Sequence, residues 1–421
     1  MAVTAAEVRA DALTTADGVP LAVSMRRSMR RSRVRAFLLV TPLLLFLIVF
    51  FFIPIGDLMV YSVDDRQIND VFPRTFAIYD QWDGEALPGE DLYAALFEDL
   101  ETTSKLKLGR ASTRMNYEQS GYKSLIKSAN RKFKKIKDPP YKEQMIEADK
   151  RWGDIKYWQG LGAMKDKFTA GYYLNAVDLR YDAQKSVIRQ PENRRVYVML
   201  WWRTLLVSFI VTVCCLLLGF PVSHLLATLP LRYSNLLMIC VLLPFWTSLL
   251  VRITAWIVML QQQGVINDVL VSTGLLNDNS RLPMMFNFTG TIIVMTQILL
   301  PFMILPVYSV MKTISPSYMR AAQNLGATPA LAFWKVYVPQ TLPGIGAGVL
   351  LVFIVAIGYF ITPELVGGKD GQLIGNAIAR HMKNSLNWGL ASAMGVILLA
   401  SILILYWLYD KIVGIDNMKL G

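Results

Sequence analysis

The chain is short of charge. Only 18% of its 421 residues are Asp, Glu, Lys or Arg, and 54% are hydrophobic, against about 25% charged and 45–50% apolar in an ordinary soluble domain. The shortage is concentrated: no charged residue occurs in Ala36–Gly56, Thr204–Leu231, Leu282–Met311, Val336–Pro363 or Asn384–Tyr409. Each run exceeds the roughly 20 residues an α-helix needs to cross a bilayer. A soluble core would have to hide all five, so a soluble fold is excluded. Cysteine is scarce too, with Cys214, Cys215 and Cys240 all inside apolar stretches. Neighbouring helical residues point in different directions, so Cys214 and Cys215 form a poor pair, and no disulfide framework or metal-ligand spacing exists. The two histidines, His224 and His381, are far apart in sequence and make no convincing metal site or proton relay. No G-x-x-x-x-G-K-[ST] loop is present, which excludes ATP binding by that device. No small-residue cleavage site follows the first apolar run, so Ala36–Ile55 reads as a retained anchor.

What is present is organised by the bilayer. Six spans fit the pattern, roughly Ala36–Tyr61, Thr204–Leu229, Leu236–Leu260, Gly290–Met311, Leu342–Ile361 and Leu390–Ile412. Arginines 26, 27, 30, 31, 33 and 35 immediately precede the first, as on a cytoplasmic flank under the positive-inside bias. This placement accounts for the net charge of +12 without nucleic acid. Alternation then puts 13 Lys/Arg in the inner segments and four (Arg281, Lys369, Arg380, Lys383) in the short outer loops. Both termini are expected inside.

The expected fold is an all-α membrane protein of six transmembrane helices, with a large insert between helices 1 and 2. The expected segments are a basic cytoplasmic tail (1–35), helix 1 (36–61), an extracytoplasmic insert (62–203), a five-helix core (204–412) containing a cytoplasmic loop (312–341), and a short tail (413–421). The insert holds 25 Lys/Arg and 21 Asp/Glu, and long domains translocate largely regardless of charge. Pro139-Pro140 separates its basic stretch Ser120–Lys137 from a second helical-looking stretch, Lys142–Tyr173. There Tyr157, Trp158, Phe168, Tyr172 and Tyr173 recur at spacings compatible with a buried helix face. The insert is expected to be a small, mostly helical domain, with a partly ordered loop as the alternative. Gln261–Leu276, punctuated by Gly264 and Gly274, suits a short surface helix. Gly344, Gly346 and Gly348 mimic a nucleotide fingerprint, but with no preceding strand they read as a close helix-packing stripe.

The loop Ser315-Pro316-Ser317-Tyr318-Met319-Arg320-Ala321-Ala322-Gln323-Asn324-Leu325-Gly326-Ala327 reads as helix, turn, helix, stop. Ser315 caps a helix opening at Pro316, Gly326 permits a turn with positive φ, Thr328-Pro329 restarts a helix, and Pro339 helps end it. This string resembles the "EAA" loop of ABC-importer permeases, E-A-A-x-x-x-G-A, then Phe, then hydrophobic-x-hydrophobic-Pro. Ala321, Ala322, Gly326, Ala327, Phe333, Val336, Val338 and Pro339 stand where that pattern puts them. The resemblance implies a coupling helix that docks in a groove of a separate ATPase. One departure stands out: Arg320 occupies the place of the family's glutamate, which puts the usual electrostatics of that contact in doubt.

Flanking strings narrow the likeness. Phe360-Ile361-Thr362-Pro363-Glu364-Leu365-Val366-Gly367-Gly368 resembles the F-x-T-P-x-L-x-G-G string of spermidine/putrescine-type permeases. Pro244-Phe245-Trp246-Thr247-Ser248, Arg252 to Trp256, Gly264 to Asn267 and Leu300 to Pro306 are similar to that subfamily as well. The likeness covers the first span and about 200 to the end, and leaves out 62–203. Trp246, Arg252, Tyr359 and Glu364 are the candidate substrate-path residues. Arg252 lies inside an apolar span, where a charge costs roughly 2.5–3.5 kcal/mol on insertion scales. It faces the path or a partner, or snorkels to the interface. Glu364 suits attraction of a cation or simple capping. Tyr359 stands near where the subfamily often has an acid, and offers a cation–π face instead.

The resemblance implies a permease subunit in the bacterial inner membrane, favouring polyamine import. It implies an ATPase dimer, a second permease subunit (another protein or a copy of this one) and an extracytoplasmic solute-binding protein as partners. No cofactor or metal is expected on this chain, and ATP hydrolysis belongs to the partner. Import of an opine, an aminophosphonate or ferric iron remains open within the class. A membrane scaffold whose insert is the active part is the rival of another class. An intramembrane enzyme lacks any nucleophile–base pair.

Overall fold

The computed structural model describes residues 21–133, 138–182 and 186–413. The expected tail segments 1–20 and 414–421, and the end of the basic stretch at 134–137, lie outside them. Among the described residues, six helices are long and apolar enough to cross a membrane. The chain divides into two bodies, residues 1–60 and 61–421.

The first body is one helical rod. Helix Leu21–Leu47 runs through a π turn, Ile48–Phe52, into Ile53–Tyr61. The rod begins well before Ala36, because Leu21–Arg35 contains no glycine or proline to stop it. Its one early proline, Pro42, is accommodated inside the helix.

In the second body, the spans Tyr197–Thr228, Phe288–Thr313 and Val338–Ile357 form the packed centre of the membrane part. Gly344 and Gly348 lie against the Phe288–Thr313 helix so closely that a Cβ on Gly348 would stand 2.7 Å from Met303 Sδ. Lipid is as apolar as leucine, so such close backbone approach, rather than hydrophobic burial, holds membrane helices together. Hydroxyls at the same interfaces bond within the helices: Thr212 donates to Ser208 O at 2.7 Å, and Ser223 to Gly219 O at 2.7 Å and across to Ile304 O at 3.1 Å. The glycine stripe is therefore a packing device, as its setting in an apolar helix implies.

Three element boundaries differ from the sequence expectation. The second span starts at Tyr197, not Thr204, because Asp178 caps it from outside: its carboxylate accepts from the backbone N–H groups of Val196, Tyr197 and Val198 at 3.1, 3.1 and 2.8 Å. The third span is not one helix. Leu231–Trp246 and Leu249–Leu260 are separated at Thr247-Ser248, where Thr247 N–H turns back to Pro244 O. Pro339 does not end a helix. Pro329–Ile357 is continuous, with a π turn at Phe333–Tyr337 that slips the hydrogen-bond register just before the proline, where a missing N–H is tolerated.

The insert has its own core, built from short helices around Trp152, Trp158, Tyr93 and Tyr122, and adds a hairpin, Leu179–Tyr181 with Val187–Arg189, paired antiparallel. The expected long stretch Lys142–Tyr173 is broken into Tyr141–Ala148, a 3-10 turn, Ile155–Ala163 and an extended link before Gly171–Ala176. Trp158 and Tyr172 are buried, but Phe168 is 63% exposed, because it sits in an extended bridge to Asp64 rather than on a helix. A seam of Tyr172, Ala176, Leu200, Ile374, Leu390 and Met394 joins the insert to the membrane part. There the Tyr172 ring lies over Gly389, whose missing Cβ would be 2.2 Å from Cζ. The expected surface helix appears as Val265–Ser272, ending at Gly274 with φ +75°.

Candidate functional site

The hairpin of 312–341 is built as its residues dictate. Ser315 Oγ accepts from Ser317 N–H at 3.3 Å, and the helix runs Ser317–Asn324. Gly326 turns the chain at φ +90°, a conformation that costs an L-residue roughly 1–2 kcal/mol. Ala327 N–H closes the turn on Ala322 O at 3.1 Å. Thr328 Oγ1 then accepts from Leu331 N–H at 3.3 Å, starting Pro329–Ala332. Met319 packs inward and Ala322 is half-buried, whereas Arg320 and Ala321 face solvent. Tyr318, Trp334 and Leu325 are exposed, the last by 90%. Among the described residues no carboxylate pairs with Arg320.

The base of the hairpin is an aromatic knot. Phe333 stacks on Tyr337 with centroids 5.5 Å apart and planes 18° apart. The His224 ring stands edge-on to both, at 5.3 and 5.1 Å, and Phe220 approaches Phe333 from the same helix. Phe333 and Tyr337, four residues apart, lie on one face of their helix. Sequence reasoning found Phe333 and dismissed His224 as isolated; only its neighbours across the interface give it a place.

The four candidate path residues do not form one cluster. Arg252 sits in the first turn of Leu249–Leu260, its Nη2 donating to Thr247 O at 3.4 Å and its Nε buried without an acceptor. The helix that carries Arg252 packs against Ile361–Val366, the short helix that follows Tyr359, but among the described residues no hydrogen bond, ion pair or ring contact joins Arg252 to Tyr359. Tyr359 lies at a second helix break, between Val338–Ile357 and Ile361–Val366. The Thr362-Pro363 string thus opens a separate short helix rather than closing the span. Glu364 is exposed and anchored, accepting from Asn376 Nδ2 at 2.7 Å. Asn376, buried, also donates to Phe360 O at 2.9 Å and accepts from Leu373 N–H at 2.9 Å. Sequence reasoning missed Asn376, which carries no motif of its own. Trp246 is 88% exposed and, among the described residues, makes no hydrogen bond or ring contact. No group of three metal-ligating side chains occurs among the described residues, and all three cysteines are free thiols.

With this geometry described, known proteins supply the family. Residues 219–413 match the family described as "Binding-protein-dependent transport system inner membrane component". The spermidine/putrescine transport system permease protein PotB of Haemophilus influenzae is 36% identical over 222 residues, 52% of this chain and 77% of that protein. PotB of Escherichia coli is 34% identical over 222 residues, 80% of its length. The inner membrane ABC transporter permease protein YdcU of Escherichia coli is 34% identical over 209 residues, 46% of this chain and 65% of that protein. The chain belongs to the binding-protein-dependent permeases. It is a multi-pass inner-membrane permease of an ABC importer, of the PotB type. In this permease the hairpin, the aromatic knot and the two helix breaks all fall within the matched residues, whereas the insert precedes them.

Proposed function

We propose that this permease forms the translocation path for a polyamine, and that its hairpin 312–341 is the coupling element for a separate ATPase dimer. Exposure of Leu325, Tyr318 and Trp334 on a tightly turned tip, whose base is stacked on the second span, carries the coupling reading: the tip offers apolar contact and the knot passes movement inward. Arg320, Ala321, Ala322, Gly326 and Ala327 form the docking tip, with Phe333 and Pro339 at its root. A second permease subunit completes the path and an extracytoplasmic binding protein delivers the solute. Arginine enrichment before the first span favours termini on the cytoplasmic side and the 62–203 insert outside. The polyamine assignment rests on likeness to the PotB proteins, with Glu364 as the anionic group near the path. The buried Arg252 Nε, which has no acceptor among the described residues, favours a second reading within the class, a solute carrying an anionic group such as an opine or an aminophosphonate.

The test is isolation of the tagged chain from native membranes in mild detergent, with its companions identified by mass spectrometry. Recovery of a Walker-motif ATPase and a six-span partner is expected, followed by spermidine-stimulated ATP hydrolysis once the binding protein is added. Arg320→Glu should weaken ATPase recovery severalfold if its groove is acidic. A chain isolated alone, under conditions that preserve a control transporter, overturns the coupling role.

A further inference from the structure

A well-formed cavity lies in the insert. It measures about 510 Å³, within the usual 300–1,000 Å³ of small-molecule sites. Its floor is a buried charge network. Arg114 donates to Asp65 at 3.0 and 2.8 Å and pairs with Glu118 Oε1 at 2.8 Å. The Tyr172 ring lies 4.1 Å under the guanidinium, and its hydroxyl donates to Asp65 at 3.1 Å.

This network is incomplete in a specific way. Glu118 is only 7% exposed, and while Oε1 accepts from Asn175 and lies in an ion pair with Arg114 Nη1, Oε2 has no donor and Arg114 Nη1 makes no hydrogen bond. Two carboxylates share one guanidinium, leaving the floor one negative charge in excess. Beside it, Arg180 donates through Nη1 to Glu118 O at 3.3 Å, but its buried Nε has no acceptor. A buried polar group without a partner costs about 1–3 kcal/mol, and more when charged. Buried around this one cavity are therefore an acceptor lacking a proton, Glu118 Oε2, and two donors lacking an oxygen, Arg114 Nη1 and Arg180 Nε. An amine alone would leave Arg180 unanswered, and a carboxylate alone would leave Glu118 unanswered.

We propose that this cavity binds a small zwitterion, its ammonium group taken by Glu118 and its carboxylate by Arg180. The remaining wall carries charges of both signs, Lys156 with Asp166 and Asp182, and Phe168 and Tyr181 offer apolar faces. All these residues precede 219, so the site is separate from the matched permease region. It stands whether or not polyamine is the transported solute.

The test uses the purified full chain in lipid nanodiscs, with thermal unfolding followed by tryptophan fluorescence. The probes are glycine and L-glutamine as zwitterions, putrescine as a cation and succinate as an anion. A rise in midpoint with at least one zwitterion, absent with putrescine and succinate, is the expected result. Ala163→Phe, which fills the cavity without touching the network, should raise the half-effective concentration at least tenfold, as should Glu118→Gln. Should Glu118→Gln fail to fold, the half-buried Arg180→Gln takes its place. No response to either zwitterion, an equal response to putrescine or succinate, or a response that persists in Ala163→Phe overturns the proposal.

Discussion

The insert and the membrane part solve different packing problems. In the insert the large aromatics go inside, Trp152, Trp158, Tyr93 and Tyr122 all being buried, and its deepest charges are paired, Arg114 with both Asp65 and Glu118. In the membrane part small residues join large ones inside: Gly219, Ser208, Thr212 and Ser223 are buried between helices together with Met295, Leu299 and Met303, while Phe209, Leu217 and Leu218 face outward. Water rewards hiding large apolar groups. Lipid gives no such reward and leaves close contact between small residues as the cohesive force. Large side chains thus occupy both the inside and the outer face of the membrane part, and the small residues buried between its helices set its contacts apart from those of the insert.

The largest expected test of this contrast is Arg114→Met. Leaving Asp65 and Glu118 buried without their cation should cost roughly 3–5 kcal/mol. Thermal unfolding of the insert, read by tryptophan fluorescence, would show it; a loss under ~1 kcal/mol would mean that the network does not hold the insert together.

A second test lies at the seam. His381, hydrogen-bonded to Tyr197 Oη and Ser385 Oγ at 2.8 Å each, sits against Tyr117 and beside Arg380. Burial, helped by Arg380, pushes its pKa down to about 4. The folded state therefore binds fewer protons than the unfolded one between pH 4 and about 6.5. The stability from this neutral ring is complete above pH 6.5 and is lost as pH falls through that window, up to roughly 3 kcal/mol. His381→Asn should flatten the pH dependence of the unfolding midpoint over this range.

The smallest effect is expected at Leu217→Ala. This side chain is 68% exposed on the outer face of the second span, so stability in bilayer should change by no more than about 0.5 kcal/mol. A cost of ~2 kcal/mol in the assembled transporter, absent from the isolated chain, would show that a partner subunit rather than lipid covers this face.

The regions also differ in how much their sequence discloses. The spans were legible because a bilayer forbids charge over about 20 residues, and uncharged runs record that constraint directly. The hairpin was legible because Gly326 and Thr328-Pro329 act through local backbone chemistry. What stayed hidden depends on distant partners. Asp178 caps a helix that begins nineteen residues later, the π turn rescues Pro339 from its usual effect, and Phe168 is held extended by Asp64. The split at Thr247-Ser248 had one visible sign, Pro244 three residues earlier, which the apolar sequence on both sides outweighed. Of the path candidates, motif resemblance marked Arg252 and Tyr359, and only the fold sets each of them beside a break between helices.

The contact between Tyr172 and Gly389 ties the identity of residue 389, in the first turn of the last helix, Trp388–Val413, to the presence of the insert. Here the first turn of that helix carries an aromatic-shaped dent, filled from more than two hundred residues upstream. Trimming the insert away would leave that dent open at the rim of the membrane. A minimal permease engineered from this chain therefore needs a side chain restored at 389 along with the deletion of its loop.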